Sequence, residues 1–320
     1  MIARPPVSIC LLTYNRSHLL PATLDSILAQ SFTDYELIVS DDCSTDATEE
    51  ICRAYARCDE RIRYIRNVEN LGMPGNLNAA LQAASGCYLA DLHDGDLYRS
   101  DLIARWKDAL DTYPTAGFVF NAYRSQSRPE LVLRESYPPI IDGRRLAVRL
   151  LFDLGSCVFG TVMARRDVYE RLAWFDPRFG NYSDVDMWMR IAREYDVAYV
   201  DEPLIDVMAM DDSRFYAFVH WKVVLWILSI HAINLQRCRT KWPDTIGPLV
   251  RKYPTWMRRY LFYNMLICVK HRRWDRVKEG LAIWRDARDP IIMAIGRFFG
   301  NQGDAPKWYS DGWWALANID

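Results

Sequence analysis

Residues 87–96 read Cys87-Tyr88-Leu89-Ala90-Asp91-Leu92-His93-Asp94-Gly95-Asp96, and this stretch decides the fold. The first six residues form the mostly apolar run of a buried strand. The strand ends at a polar turn in which glycine permits tight backbone geometry. Asp94 and Asp96 lie one residue apart on that turn, so both carboxylates can approach one hard cation. An isolated Asp-x-Asp triplet is common in exposed turns, and only its position after a strand gives this one weight.

Three strand-loop units precede this stretch, and helices separate them. The predicted strands are Val7–Leu12, Glu36–Ser40, Ile62–Ile65 and Cys87–Leu92, and the predicted helices are Leu19–Gln30, Ala47–Cys58 and Asn76–Ala84, the last followed by Gly86 as a helix stop.

Alternating strands and helices predict an α/β fold with a mostly parallel sheet, in which ligands bind beyond the carboxyl ends of the strands. Polar clusters follow three of the four strands, at residues 13–16, 41–46 and 94–96. Their common position favours a shared nucleotide site over three unrelated polar loops.

The rest of the chain divides into two parts. Downstream of the acidic turn we predict helices over 101–113, 166–173 and 184–195, strands over 117–120 and 158–164, and a loop insertion over 125–143. From about Phe215 the pattern changes to helices rich in Trp, Tyr, Lys and Arg. We therefore predict a catalytic domain over residues 1–214 and a helical region over 215–320.

Composition limits the function classes. The 320 residues include 40 Lys plus Arg and 41 Asp plus Glu, so the whole-chain charge gives no reason to expect a nucleic-acid partner. The eight cysteines form no Cys-x-x-Cys pair, which favours reduced thiols. The start of the chain does not resemble a signal peptide, and the apolar run over 223–233 is too short to span a bilayer. These features predict a cytoplasmic location.

Taken together, the motifs resemble the inverting GT-A glycosyltransferases of family 2. The resemblance covers roughly residues 5–210, and the motifs agree in both order and spacing. It implies a GT-A fold, that is, a Rossmann-like, mostly parallel sheet flanked by helices. The matching residues are Val7-Ser8-Ile9, Thr13-Tyr14-Asn15-Arg16, Asp41-Asp42 with Ser44 and Asp46, Asn70-Leu71-Gly72 to Asn78, Ser85-Gly86-Cys87-Tyr88, Asp94-Gly95-Asp96 and Asp184-Val185-Asp186-Met187-Trp188-Met189-Arg190.

The resemblance implies roles for individual residues. Asp96 is the principal ligand of Mn²⁺ or Mg²⁺, and Asp94 is shared between the metal and the ribose. Thr13 and Tyr14 flank the base, and Asp41 accepts from a uracil-like edge, in keeping with the hydrogen-bonding capacity of a carboxylate. The full predicted set of donor-nucleotide residues is Thr13, Tyr14, Arg16, Asp41, Asp42, Asn78 and Asp94.

Asp184 is the predicted catalytic base, since displacement at an anomeric carbon requires one carboxylate to remove the proton of the acceptor hydroxyl. An acidic cap at a helix start also explains an aspartate there. The chain departs from the family pattern nearby: Ser183 replaces the usual Glu, Leu77 replaces an Arg that contacts diphosphate, and residues 207–212 lack the Arg-x-His element. The third metal ligand is therefore unassigned, with Asp211 and Asp212 as candidates.

The implied function is metal-dependent, inverting transfer of a sugar from a nucleotide donor, with UDP favoured, to a hydroxyl of a glycan or lipid-linked saccharide. Such transfers assemble bacterial surface polysaccharides and glycoconjugates. Two alternatives stay open at this point. One is a nucleotidyltransferase, although residues 11–16 contain no glycine of the kind found in a phosphate loop. The other is a nucleotide-sugar-binding module without turnover.

The C-terminal region has two interpretations. Residues 251–285 interleave aromatic residues with Lys and Arg. Such helices either lie on an anionic membrane surface, which would make the protein peripheral and favour a lipid-linked acceptor, or bury their aromatics in an ordinary core. Four aromatic residues lie near the C-terminus: Trp308, Tyr309, Trp313 and Trp314. Three roles are open for them, namely stacking on sugars, covering the cleft or packing the tail.

Overall fold

The computed structural model describes residues 5–152, 158, 160–208 and 221–286. They divide into two compact units. The first contains the described residues up to 147 and between 158 and 208, and the second contains 148–152 and 221–286. Cys157, Asp211, Asp212 and the four C-terminal aromatics lie outside the described residues.

One mixed sheet organises the first unit. Its strands are β1 (Val7–Thr13), β2 (Tyr35–Asp41), β3 (Ile62–Arg66), β4 (Tyr88–His93), β5 (Leu97–Tyr98), β6 (Ala116–Ser125), β7 (Val132–Leu133), β8 (Ile140–Ile141), β9 (Val162–Arg165) and β10 (Asp196–Val207). The main order is β3-β2-β1-β4-β9-β6-β10-β5, with β7 beside β6 and β8 beside β10.

Strand direction brings the polar loops to one edge. β1 to β4 are parallel, β9 runs antiparallel to both β4 and β6, and β10 is parallel to β6. β4 and β6 therefore point the same way, and the carboxyl ends of β1, β2, β4, β6 and β10 share an edge. The loops that follow β1, β2 and β4 meet there, as an α/β sheet requires.

Helices cover both faces of the sheet. The helices of the first unit are α1 (Leu20–Leu28), α2 (Thr48–Cys58), α3 (Gly72–Ala83), α4 (Leu102–Thr112), α5 (Gly143–Phe152, which continues into the second unit), α6 (Arg166–Arg171) and α7 (Ser183–Glu194), with a 3₁₀ helix over Pro177–Tyr182. Alternate strand residues such as Ile9 and Leu11 pack against α1, α2 and α4. On the opposite face Trp188 of α7 packs on Phe118 and Phe175, with ring centroids 5.0 and 5.7 Å away.

Some predicted boundaries are wrong. Helix α3 begins four residues before Asn76, because the Asp42 carboxylate accepts from the N–H of Gly72 and supports an early start. Gly86 is not a helix stop: a side chain there would place Cβ 2.7 Å from the Ser8 nitrogen, so glycine allows the chain to approach β1 closely. The predicted loop over 125–143 contains β7 and β8.

The second unit is helical. Its helices are α8 (Trp221–Lys241), α9 (Pro243–Val250), α10 (Tyr253–Lys270) and α11 (Trp274–Asp286). Part of its core is a row of stacked rings in which Trp256 lies between Tyr253 and Tyr260, at 5.4 and 5.7 Å. Among the residues that the model describes, none of the helices has both the length and the apolar character needed to cross a membrane.

Candidate active site

The acidic turn after β4 is held by neighbouring backbone and hydroxyl groups. The Thr23 hydroxyl accepts from the N–H of Gly95 at 3.0 Å and donates to the carbonyl of Asp96 at 3.0 Å. Gly95 has a φ of 92°, a left-handed conformation that favours glycine. Asp96 Oδ1 accepts from the Met208 N–H at 2.9 Å, which connects the turn to the end of β10. The two carboxylates are thus fixed on one rigid turn.

Both carboxylates of this turn are destabilised as anions. Burial raises the pKa of Asp94, against the opposing effects of the Thr13 hydroxyl, Arg16, the Tyr14 amide and His18. Burial and the charge of Asp94 raise the pKa of Asp96 to about 7, although the Met208 N–H acts in the opposite sense. Oδ2 of Asp94 is buried without a well-formed hydrogen bond to any described residue. A bound cation would relieve both effects.

The residues present fit a divalent cation. Mg²⁺ is commonly bound through one or two carboxylates together with substrate phosphates, so two protein ligands suffice when the donor supplies the others. Asp94 and Asp96 provide that pair, with an unpartnered oxygen on Asp94. No group of three or more His, Cys, Asp or Glu side chains suited to a metal occurs within the described ranges. Asp211 and Asp212 lie beyond those ranges, so the third ligand stays unassigned.

Asp184 lies in the first turn of α7, as predicted. Its Oδ1 accepts from the Val185 N–H at 2.7 Å. Burial raises the pKa of Asp184 to about 6, despite hydrogen bonds from backbone N–H groups. This carboxylate is therefore ionised at neutral pH and still basic enough to accept a proton, which are the properties of a general base.

Asp91 is a further acidic residue, and sequence reasoning missed its role because it lies in the middle of a strand. It is 1% exposed, and its Oδ1 has no hydrogen-bond partner among the described residues. Burial, and then the charge of Asp184, raise the pKa of Asp91 well above its usual value. The strand thus holds Asp91 close enough to the predicted base for the charge of Asp184 to raise the pKa of Asp91. An acidic residue inside an otherwise apolar strand was the available signal.

Hydrogen bonds of Asn15 and Asp46 link the loops after β1 and β2. The Asn15 N–H donates to the Ser44 hydroxyl at 2.9 Å, and Asn15 Oδ1 accepts from the Thr45 N–H at 2.8 Å. Oδ2 and Oδ1 of Asp46 accept from the N–H groups of Ser17 and Thr48, each at 3.0 Å. We call residues 14–17 and 43–46 the paired loops. They carry Tyr14, whose ring is 45% exposed, and Arg16, whose charge lowers the pKa of Asp94 and which is therefore near it.

Asp41 and Asp42, by contrast, are hydrogen-bonded within the chain. Asp41 is fully buried, with Oδ1 accepting from the Ser44 N–H at 2.9 Å and Oδ2 from the Tyr64 hydroxyl at 2.7 Å. Asp42 is 3% exposed, and its oxygens accept from Asn67 Nδ2 and from the N–H groups of Leu71 and Gly72 at 2.8–3.0 Å. Both residues shape the loops beside the site. Direct contact with a base would require these bonds to open, and it stays a prediction.

Asn78 also has its polar groups paired. Its Nδ2 donates to the Phe175 carbonyl at 2.7 Å, and its Oδ1 accepts from the Phe175 N–H at 3.0 Å. Ala173 and Trp174, just before this contact, have left-handed φ values of 63° and 58°. The guanidinium of Arg190 donates to the carbonyls of Leu172 and Trp174 and pairs with Asp186 at 2.7 Å. Asn78 therefore fixes the segment that leads to α7, and its contact with a donor stays a prediction.

Comparison with known proteins identifies relatives of the chain. The model of the family described as Glycosyl transferase family 2 matches residues 8–173. The Bacillus subtilis (strain 168) protein named "Putative teichuronic acid biosynthesis glycosyltransferase TuaG" is 37% identical over 215 residues, 66% of this chain and 81% of that protein. The Escherichia coli UDP-Glc:alpha-D-GlcNAc-diphosphoundecaprenol beta-1,3-glucosyltransferase WfgD is 25% identical over 276 residues, 84% of this chain and 96% of that protein.

Solved structures confirm the predicted GT-A fold. The crystal structure of S. aureus TarS 1-349 in complex with UDP-GlcNAc superposes with a TM-score of 0.57 at 13% identity, covering 88% of this chain and 91% of that one. The Pyrobaculum calidifontis mannosyltransferase PcManGT, in complex with GDP-Man and Mn²⁺, gives a TM-score of 0.57 at 19% identity, covering 92% and 84%. At these identities the likeness shows the fold alone.

Proposed function

The chain belongs to glycosyl transferase family 2, and from that premise we propose that it transfers one sugar, with inversion, from a UDP-linked donor to a hydroxyl of a saccharide acceptor. That it is a glycosyltransferase follows from its relatives; the donor, the acceptor, the metal and the residue roles belong to the proposal. One observation carries it: two carboxylates after β4, Asp96 buried and Asp94 half-buried, lie beside the paired loops, and a separate carboxylate with a raised pKa begins α7.

The proposed reaction is a single displacement. The acceptor oxygen forms a bond to the anomeric carbon while its proton passes to the carboxylate of Asp184. The bond between that carbon and the phosphate oxygen breaks, and UDP leaves with the electron pair. Asp94 and Asp96 would hold a divalent cation, which would supply positive charge beside the leaving diphosphate. Arg16, near Asp94, adds a positive charge on the same side. It takes the place of the arginine that the family pattern has where this chain has Leu77.

The relatives support UDP as the donor nucleotide. WfgD is named for UDP-Glc, and TarS was crystallised with UDP and with UDP-GlcNAc. In this chain the exposed ring of Tyr14 offers a face on which a base can stack. Thr13, whose hydroxyl is buried next to Asp94, closes the same side of the proposed nucleotide site. We propose Mn²⁺ or Mg²⁺ as the cation, and the PcManGT complex contains Mn²⁺.

We also propose that the acceptor is a lipid-linked saccharide used in bacterial surface polysaccharide assembly. The name of WfgD specifies a saccharide on diphosphoundecaprenol, and that of TuaG specifies teichuronic acid biosynthesis. Such an acceptor remains in the bilayer, so the enzyme would work at the membrane surface.

The test is a transfer assay with purified full-length chain. UDP-Glc, UDP-GlcNAc and GDP-Man are each incubated with Mn²⁺ and a GlcNAc-diphospho-lipid acceptor, and the anomeric configuration of the product is read by NMR. We expect turnover of a UDP-sugar with inversion, and thermal stabilisation by UDP that requires Mn²⁺. Stabilisation by GDP but not by UDP would contradict the donor assignment. Retention of configuration would contradict the proposed displacement.

A further inference from the structure

The outward face of α10 is unusual for a helix exposed to water. Its exposed side chains recur at positions 255, 258, 259, 262, 263, 266, 269 and 270, which form one helical face. Phe262, Tyr263, Leu266 and Val269 are four of them, and each is between 40% and 52% exposed. The opposite face, with Tyr260, Leu261 and Met265, is buried. A surface helix normally presents polar residues outward, so the second half of α10 is apolar on both faces.

Positive charge precedes and follows this apolar face in the sequence. Arg258 and Arg259 precede it on the same side of the helix, and Lys270 follows it. On α11, Trp274 is 58% and Leu281 53% exposed. Between residues 251 and 281 nine Lys and Arg outnumber two acidic residues, although the whole chain has a net charge of −1. The cations are Arg251, Lys252, Arg258, Arg259, Lys270, Arg272, Arg273, Arg276 and Lys278.

We propose that the α10 face, defined as Phe262, Tyr263, Leu266 and Val269 with Arg259 and Lys270 at its ends, docks on an anionic lipid bilayer surface. This inference rests on the proposed function, in which the acceptor is lipid-linked. Aliphatic and aromatic side chains enter the boundary between headgroups and acyl chains, and flanking cations contact the anionic headgroups. Tyr and Trp prefer that boundary because their rings are amphipathic.

The charge distribution favours a bilayer over a second copy of this chain. Two copies that met through the α10 face would bring two groups of cations together, and like charges across an interface cost free energy. An anionic bilayer supplies the opposite charge and covers the apolar side chains at the same time. The basic excess is local, as expected for surface-specific docking rather than for general attraction of the whole chain.

Co-sedimentation of the full chain with vesicles tests the docking. Vesicles of pure phosphatidylcholine are compared with vesicles of equal parts phosphatidylcholine and phosphatidylglycerol, at low and high salt. We expect binding to the anionic vesicles that weakens as salt screens the cations. The double variant Phe262→Ser with Leu266→Ser should bind about ten-fold more weakly or worse, since it removes two apolar side chains. Arg259→Glu with Lys270→Glu should lose the preference for anionic lipid.

Controls separate docking from folding and from catalysis. Leu133→Ser changes another exposed apolar residue, 42% exposed, and should bind vesicles like the wild type. Circular dichroism melting checks that each variant folds, and transfer to a water-soluble saccharide acceptor should be unchanged in the α10 variants. Equal vesicle binding by the Phe262/Leu266 variant and the wild type would overturn the proposal. The proposal would also be overturned if the wild type did not bind anionic vesicles and instead dimerised through this face in analytical ultracentrifugation. Neither result would contradict the proposed transferase activity, which the transfer assay tests separately.

Discussion

Asp41 and Asp42 at the end of β2 differ from Asp94 and Asp96 after β4, although both pairs follow strands that flank β1. The β2 pair is buried with its oxygens bonded to backbone N–H groups and to the side chains of Tyr64 and Asn67. In the β4 pair Asp96 is buried and Asp94 half-buried, Oδ2 of Asp94 has no hydrogen-bond partner among the described residues, and both pKa values are raised. Burial of a carboxylate therefore does not identify chemistry. What distinguishes the two pairs is whether the protein itself satisfies the charge.

Asp184→Asn should give the largest effect, because it removes the proposed base while keeping the shape of the side chain. We expect kcat to fall by about 10³-fold, within the range for general base catalysis. Steady-state transfer kinetics measure the loss, and Mn²⁺-dependent UDP binding should be retained. A variant with near-normal kcat would assign the base to another residue.

Asp96→Asn should come next. Loss of the proposed metal ligand is expected to lower kcat by about 10²-fold and to abolish the effect of Mn²⁺ on UDP binding, because charge on the leaving diphosphate would no longer be offset. Isothermal titration with UDP, with and without Mn²⁺, measures the change. Asp41→Asn is the matched control at the other strand end, and its UDP binding should still respond to Mn²⁺.

Asp42→Ala should affect stability. The change removes the carboxylate that accepts from the N–H groups of Leu71 and Gly72 and from the side-chain amide of Asn67, so we expect a loss of about 3 kcal/mol in the free energy of unfolding. Denaturant titration measures it. Asp94→Asn should leave stability unchanged or raise it, because burial already disfavours the Asp94 anion. If Asp94→Asn were the more destabilising change, the contrast between the two strand ends would be wrong.

The pH dependence of transfer offers a smaller effect. Asp184 must be ionised to accept a proton, and its pKa is raised to about 6. At saturating Mn²⁺, kcat should level off above about pH 6 and fall about ten-fold per unit below it. This acidic decrease in kcat should be absent from the residual activity of Asp184→Asn. If kcat of that variant still decreased at low pH, the titrating group would be another residue.

Asp91→Asn gives the smallest expected effect, on stability alone. Because the folded pKa of Asp91 lies above its unfolded value, its contribution is fully present at low pH and is lost as pH rises through the folded pKa. The wild type should therefore lose stability as pH rises above the ordinary aspartate pKa of 3.8, and the asparagine variant should lose less. Asp96 and Asp184 act in the same direction, so a smaller decline remains. An identical pH dependence in both proteins would mean that Asp91 ionises normally.

The sequence predicts the first half of the sheet well. The predicted runs that end at 12, 40 and 92 lie in strands with polar loops on one edge, since strand-helix alternation leaves few other arrangements. The prediction fails at glycine and proline residues whose role depends on tertiary packing. The predicted helix began at Asn76, yet Pro74 and Gly75 also lie in α3, and Gly86 allows close packing against Ser8.

Site residues were harder to predict in detail. The triplet and Asp184 were proposed as site residues from the resemblance to family 2, but a sequence motif does not report hydrogen-bond partners. The bonds of Asp41 to Tyr64 and of Asn78 to Phe175 join residues that are 23 and 97 positions apart. The same limit hid Asp91, whose relation to Asp184 depends on how α7 packs on the sheet.

The paired loops have a consequence for the speed of ligand capture. Their backbone is ordered before any nucleoside arrives, because Asn15 and Asp46 already connect the two segments. Under the proposed function, UDP then pays little conformational entropy on that side of its site. Stopped-flow mixing should show one concentration-dependent phase without a slow rearrangement. Asn15→Ala, which unlinks the loops, should lower the association rate by reducing the fraction of molecules ready to bind.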